Sequence, residues 1–213
     1  MGIFLMEEQK RLDALKQRVD SCTDCEFHST RTQPVFGEGP LGAAAMAISE
    51  APGKDEDESG RPYMGKAGKY WEVMLQTAGL RRESIYVCNA LCCRPPNNAI
   101  PEDYHNIHAC NVRLLTQIAI IQPRLIITFG KVAAFALGLV KKSASLGSIV
   151  GKQQLNYNDY KGTEHQCPVI VTYHPSYLMR GGLKQQADSW KTYNHLREAR
   201  SILDGLVIPE NTE

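Results

Sequence analysis

Three patterns in this chain carry groups that can do chemistry. The first is the stretch from Ser49 to Gly68, SEAPGKDEDESGRPYMGKAG, with five carboxylates, four glycines, two prolines and one aromatic residue. The second is His174-Pro175-Ser176, directly after the apolar run Val169 to Tyr173. A carboxylate can stabilise a cation or orient water, and a histidine can donate or accept a proton near neutral pH. Glycine lets backbone come close to a ligand, and Gly and Pro together punctuate turns. The plainer readings are an acidic solvated loop and a turn with a solvent-facing histidine. The third pattern is seven cysteines, an odd count. Cys22 and Cys25 offer two thiolates from one turn, and Cys92 or Cys93 with Cys110 supplies a distant pair. Such a set suits zinc or an iron–sulfur cluster, and spacing alone does not choose. Cys88 and Cys167, in or beside apolar runs, read as small buried hydrophobes.

The elements that must position these groups follow from periodicity. Short apolar runs at Ala43 to Ile48, Ile85 to Asn89, Leu125 to Phe129 and Val169 to Tyr173 read as buried strands. Helical spacing appears over Met6 to Val19, Lys69 to Ala78, Pro101 to Ile121, Val132 to Leu139 and Lys184 to Leu206. Gln153 to Tyr157 is a weaker strand candidate, followed by a turn near Asn158 to Glu164. Strands alternating with helices imply a parallel sheet covered on both faces. In such a sheet the loops beginning at Ser49, Asn89, Gly130-Lys131 and His174 share one edge, where open α/β sheets bind ligands.

Composition bounds the remainder. With 213 residues and 43% hydrophobic content, one compact domain over 1–213 is expected, its first 20 residues a helix leading to the C-x-x-C turn and 207–213 a polar tail. Lys plus Arg (24) nearly cancel Asp plus Glu (23), so any nucleic-acid surface must be a local basic face. Neither a membrane-length apolar run nor a secretory leader is visible, and the expected location is the cytoplasm. In a reducing compartment the cysteines serve as metal or cluster ligands or core residues rather than disulfides. APGKDED lacks the spacing of a nucleotide-binding G-x-x-x-x-G-K-[ST] loop.

The patterns SEAPGKDEDESGRPYMGKAG, NALCCRPPNN, Cys110 with LLTQIAIIQPRLIITFG, and YHPSYLMR, in this order, resemble the family-4 uracil-DNA glycosylases, the iron–sulfur branch of that superfamily. The resemblance runs from Cys22 to about Leu203. It implies a three-layer α/β/α sandwich around a four-stranded parallel sheet. It also implies a structural 4Fe–4S cluster held by Cys22, Cys25, Cys93 and Cys110, with Cys92 as a neighbour, and a monomer acting on DNA. The first motif carries over onto Glu50, Pro52, Gly53, Glu56, Asp57, Gly60, Pro62 and Gly65. Tyr63 stands where the family has Phe to stack on the extruded base. Asn89 resembles the asparagine that reads the pyrimidine edge, Asn98 the one associated with water, and His174 the histidine of the family's HP-[SA] motif.

That chemistry fits these residue types. Breaking the glycosidic bond of deoxyuridine develops a sugar cation and a uracil anion, and the base must first leave the helical stack. A histidine donor favours the leaving anion, and Glu50 or Glu56 would face the sugar or the water. Lys131, Arg180 and Lys184 are the candidate DNA cations, and the segment Tyr177 to Arg180 is the candidate wedge behind the flipped base. Departures from the family pattern are Ser49 in place of Gly, Tyr63, Ala99 after the Asn-Asn pair where Arg is common, and the segment Lys141 to Gly162. They leave two rival expectations: a glycosylase for a modified pyrimidine, as in defence against phage DNA, and a non-catalytic iron–sulfur protein that binds or senses damaged DNA. A third, a relative that holds uracil covalently, carries a histidine-bearing basic insertion that KKSASLGSIVGKQQ lacks.

Overall fold

A computed structural model describes residues 2–205, with side chains from Met6 onward. The expected tail at 207–213 and the last residue of the expected final helix, Leu206, lie outside the described residues. Five strands form one sheet: β1 (Ala45–Ser49), β2 (Ile85–Asn89), β3 (Leu125–Phe129), β4 (Gly151–Asn158) and β5 (Glu164–Thr172), in the order β2-β1-β3-β5-β4. The first three and β5 pair in parallel, as expected for strands joined by helical crossovers. The expected four-stranded sheet is corrected by β4, which pairs antiparallel with β5 along the edge from Gly151↔Val171 to Asn158↔Glu164. It contains the weaker strand candidate Gln153 to Tyr157, a faint signal because Leu155 is its only buried residue.

Alternation along the strands builds two cores. Met46, Ile48, Tyr86, Cys88, Ile126 and Val171 face one side. That side is covered by α1 (Gly2–Asp20), α4 (His105–Ile121) and α5 (Lys131–Ala136), through residues such as Leu15, Leu114, Ile118 and Ala133. Ala45, Ala47, Val87, Ile127 and Ile170 face the other side. They are covered by α3 (Lys66–Thr77) and α7 (Leu183–Leu203) through Trp71, Leu75, Leu196 and Ala199. The result is three layers, with helices on both faces of a mostly parallel sheet. Cys88 and Cys167 are buried within it, as expected of apolar packing.

Two short helices occupy stretches expected to be loop. The residues of α2 (Lys54–Ser59) start on Gly53 and end at left-handed Gly60, and α6 (Pro175–Leu178) starts on His174 with Pro175 in its first turn. Helix α3 begins at Lys66, three residues earlier than expected, and α4 at His105, four later, behind a left-handed Tyr104. The chain leaves β1 toward the α3 face and leaves β3 toward the α5 face. Connections that diverge between neighbouring strands open a crevice at their carboxyl ends.

Candidate functional site

That crevice is a pocket of about 580 Å³. Ser49 and Glu50 enter it from β1, Asn89 from β2, Gly130 and Lys131 from β3, and His174 from β5. Ser49 and Asn89 are register partners on adjoining strands. Gly130 sits at φ 94, and a Cβ there would come 3.3 Å from the His174 Cβ, so the tight approach of these two loops requires glycine.

Hydrogen bonds set the state of His174. The Ser176 backbone N–H donates to Nδ1 at 3.1 Å, with the Ser176 hydroxyl at 2.7 Å from the same nitrogen. An imidazole whose Nδ1 accepts carries its proton on Nε2. Nε2 lies 2.8 Å from the Ser49 hydroxyl, to which it donates. Burial, with Arg180 nearby, holds the ring's pKa down at about 4, so it is a neutral N–H donor at physiological pH.

The five carboxylates of the first pattern separate cleanly. Glu56 accepts from the Gly53 amide at 2.9 Å and the Gly65 amide at 2.8 Å, closing the starts of α2 and α3 with one side chain. Asp57 is buried and accepts from the Thr32 amide at 3.0 and 3.1 Å. Asp55 and Glu58 are exposed, Glu58 lying 3.7 Å from Lys54. Glu50 alone enters the pocket with no hydrogen bond or ion pair to its carboxylate among the described residues, and burial pushes its pKa up.

Tyr63 lines the pocket at a backbone φ of 58, unusual for a bulky residue. Its ring stacks on Trp71 with centroids 4.2 Å apart and meets Phe129 edge-on at 6.3 Å. Gly68 permits this, because a Cβ there would collide with the Tyr63 carbonyl. Glu38 fixes the approach from below, accepting from Arg61 and Arg82 at 2.8 Å each, while Arg82 also donates to the Pro62 carbonyl at 2.6 Å. The buried Tyr63 hydroxyl, close to Ser49, makes no hydrogen bond.

Other expected residues are placed differently. Asn98 is exposed on a left-handed turn at the pocket edge, its carbonyl held by Arg94 Nε at 2.8 Å. Lys131 donates to the Lys142 carbonyl. Tyr177 does not project as a wedge: its hydroxyl donates to Asp188 at 2.9 Å and its ring stacks on Tyr173 at 5.7 Å. Leu178 is buried, whereas Met179, Arg180, Leu183 and Lys184 are exposed, and Arg180 lines the pocket.

A second cavity, about 340 Å³, is lined by Cys22, Cys25, Cys92, Cys93 and Cys110. Among the described residues no group of three His, Cys, Asp or Glu is placed to hold a single metal ion. The neighbouring Cys92 thiol and the Arg113 guanidinium hold the Cys110 thiol well below the usual thiol range. Two of the arginines that line this cavity contact its cysteines, and no pattern singled them out. Arg31 contacts Cys93 Sγ at 2.9 Å and the Cys22 carbonyl at 3.0 Å, and Arg113 contacts Cys110 Sγ at 3.4 Å. Arg113 stands three residues after Cys110, one helical turn away, which is the only mark it leaves in the sequence.

No helix among the described residues is long and apolar enough to cross a membrane. Comparison with known proteins fits this geometry. Residues 36–199 match the family described as the uracil DNA glycosylase superfamily. A type-4 uracil-DNA glycosylase of Thermotoga maritima is 38% identical over 172 residues, covering 81% of this chain and 85% of that protein. Those of Pyrobaculum aerophilum and Archaeoglobus fulgidus are 36% and 35% identical, covering 79% and 84% of this chain and 85% and 88% of theirs. The chain belongs to the uracil DNA glycosylase superfamily.

Proposed function

We propose that this protein excises uracil from DNA, hydrolysing the bond between base and deoxyribose and leaving an abasic site for base-excision repair. The observation that carries the reading is His174, a neutral imidazole fixed as an Nε2–H donor inside the strand-end pocket. The uracil nucleotide is extruded from the duplex, at a cost of a few kcal/mol that pocket contacts offset. Trp71 covers one face of the Tyr63 ring, and the other face takes the base. Asn89 offers an amide donor and acceptor to the pyrimidine edge. His174 turns its Nε2–H from Ser49 to a base oxygen where negative charge develops, a donor worth roughly 3 kcal/mol. Glu50, unpartnered in the pocket, stabilises the sugar cation or orients the attacking water, with Asn98 at the water side. Glu56 and Gly53 act on the geometry of the loop, Glu56 through the two amides it binds.

On the DNA side, Arg180 and Lys184 supply phosphate contacts, and Lys131 orders the loop at the pocket edge. Tyr177 supports the following residues from Asp188, so Met179, 44% exposed, takes the wedge position. We read the chain as one domain acting as a monomer in the cytoplasm on single- or double-stranded DNA.

The thiol cavity fits a 4Fe–4S cluster on the chemistry of its donors. Cys22, Cys25, Cys93 and Cys110 would hold it, with Cys92 neighbouring Cys110, and Arg31 and Arg113 would offset the negative charge of bound thiolates. When bound, such a group supplies structural cross-linking of the loops it ligates rather than chemistry at the base pocket. The test is a strand-cleavage assay on matched oligonucleotides carrying uracil, hypoxanthine or a hydroxymethylated pyrimidine. Abasic product from uracil is expected. Product only from the modified pyrimidine would reassign the substrate, and no product from any of them would favour a binding protein. Purified protein is expected to be brown, and colourless zinc-loaded protein would overturn the cluster.

A further inference from the structure

Arg113 is 6% exposed, and no carboxylate contacts its guanidinium among the described residues. A buried cation is costly unless paired and hydrogen-bonded. The titratable groups facing it include the thiols of Cys88, Cys92 and Cys110 and the Tyr86 hydroxyl. Its hydrogen bonds go elsewhere. Nη1 donates to Gln117 Oε1 at 2.6 Å, and Nη2 donates to the carbonyls of Asn89 at 2.9 Å and Ala90 at 2.7 Å, besides Cys110 Sγ at 3.4 Å. Gln117 is itself fixed, its amide donating to the Phe36 carbonyl at 2.9 Å and the Tyr86 hydroxyl at 3.0 Å.

One side chain therefore links the thiol cavity to the strand end that borders the base pocket. The same Nη2 meets the Cys110 thiol, the last carbonyl of β2 and the one after it. Asn89 is the residue whose side chain enters the base pocket, and it lies in register with Ser49, the partner of His174. The next amides close the same corner: Ala90 N–H donates to the Ser49 carbonyl at 2.8 Å and Leu91 N–H to the Glu50 carbonyl at 3.0 Å. A planar guanidinium can bridge these acceptors, whereas an ammonium is a point charge.

We propose that Arg113 is a positioning residue: its guanidinium joins Cys110, in the wall of the thiol cavity, to the end of β2, so that the aim of Asn89 depends on what the thiol cavity binds. This rests on the reading of the pocket as a uracil site. Loss of the thiol-bound group frees the Nη2 that the two carbonyls share with Cys110 Sγ, and the corner formed by residues 89–91 loosens.

Three measurements test it. In Arg113→Lys, which keeps the charge, visible absorption and iron content are expected to stay at parent levels. The single-turnover rate on uracil is expected to fall roughly tenfold to a hundredfold, as small misplacements at a reacting site do. In an Asn89→Ala background the same change is expected to cost less than about twofold, the non-additivity of residues acting through one another. Losses that multiply in the double variant, or a parent-like rate with the colour intact, would overturn the proposal. Amide hydrogen exchange across residues 85–92 reads the coupling without turnover. Exchange is expected to quicken both in Arg113→Lys and in parent protein stripped of metal by chelator and oxidant. Unchanged exchange in the stripped parent would overturn the proposal even if neither variant folds. Absence of uracil excision by the parent would instead refute the function on which it rests.

Discussion

Replacing His174 by Ala removes the one side chain that the pocket presents as a preset hydrogen-bond donor at a strand end. The Ser176 amide occupies Nδ1, so the proton sits on Nε2, facing the Ser49 hydroxyl at 2.8 Å. Losing a donor aimed at developing charge costs about 3 kcal/mol, or roughly a hundredfold in the chemical step. DNA affinity should change little, since phosphate contacts come from other residues. The pH dependence carries the sharper test. With its pKa near 4 against an ordinary 6.5, the ring stays neutral across the physiological range. Single-turnover rates on a uracil oligonucleotide should therefore show no inflection between pH 6 and 7 attributable to this residue, in parent or in His174→Gln. An inflection there that disappears in His174→Ala would mean an imidazolium does the work, and the assignment of a neutral donor would fail.

Stability follows the same group with a definite sign. Between pH 6.5 and about 4 the unfolded chain binds a proton on His174 that the folded chain does not, so stability falls as pH falls through that window. At about 1.4 kcal/mol per pH unit, the effect is at most about 3 kcal/mol, reduced by the ring's partial exposure. Urea unfolding of the parent and of His174→Ala should converge toward lower pH by less than that amount. If the parent does not lose more stability than His174→Ala between pH 6.5 and 4, the ring is not held neutral.

Three further outcomes separate neighbouring residues. Ser49→Gly should free the His174 Nε2–H and raise the single-turnover rate about threefold to fivefold, the worth of one ordinary hydrogen bond, while lowering stability by about 1 kcal/mol; a slower enzyme would make Ser49 a participant rather than a competitor. Glu50→Gln should cut turnover yet leave the melting temperature equal or higher at pH 7, because burial disfavours the Glu50 carboxylate and its loss relieves the fold. Glu56→Gln should lose about 1–3 kcal/mol in denaturant unfolding, since an amide oxygen and an NH₂ cannot both accept from the Gly53 and Gly65 amides; unchanged stability would refute its clamping role.

The parallel strands were legible because each is a continuous apolar run bounded by turn residues, the signature of a strand buried on both faces. The edge strand β4 was legible only in part, as the weaker candidate Gln153 to Tyr157, since GKQQLNYN buries only Leu155 and its pairing comes from backbone bonds to β5. Tyr177, within the segment expected as a wedge, shows a related limit of local patterns. Its partner Asp188 lies eleven residues on, in the next helix, and no local pattern shows that the hydroxyl already has an acceptor.

The site shows the same divide between residue type and residue use. Glu50 and Glu56 are the same side chain six positions apart in one polar stretch, and nothing in their spacing ranks them. Counting hydrogen bonds does: Glu56 has spent both oxygens on backbone amides, whereas Glu50 is left without a bond in a pocket whose burial already opposes its charge. A carboxylate kept where folding alone would remove it is where stability yields to chemistry. Arg113 is the converse case. Its guanidinium spends its bonds on the Gln117 side chain, the Asn89 and Ala90 carbonyls and Cys110 Sγ, so a cation buried without a carboxylate is held only where the end of β2 and the thiol cavity meet.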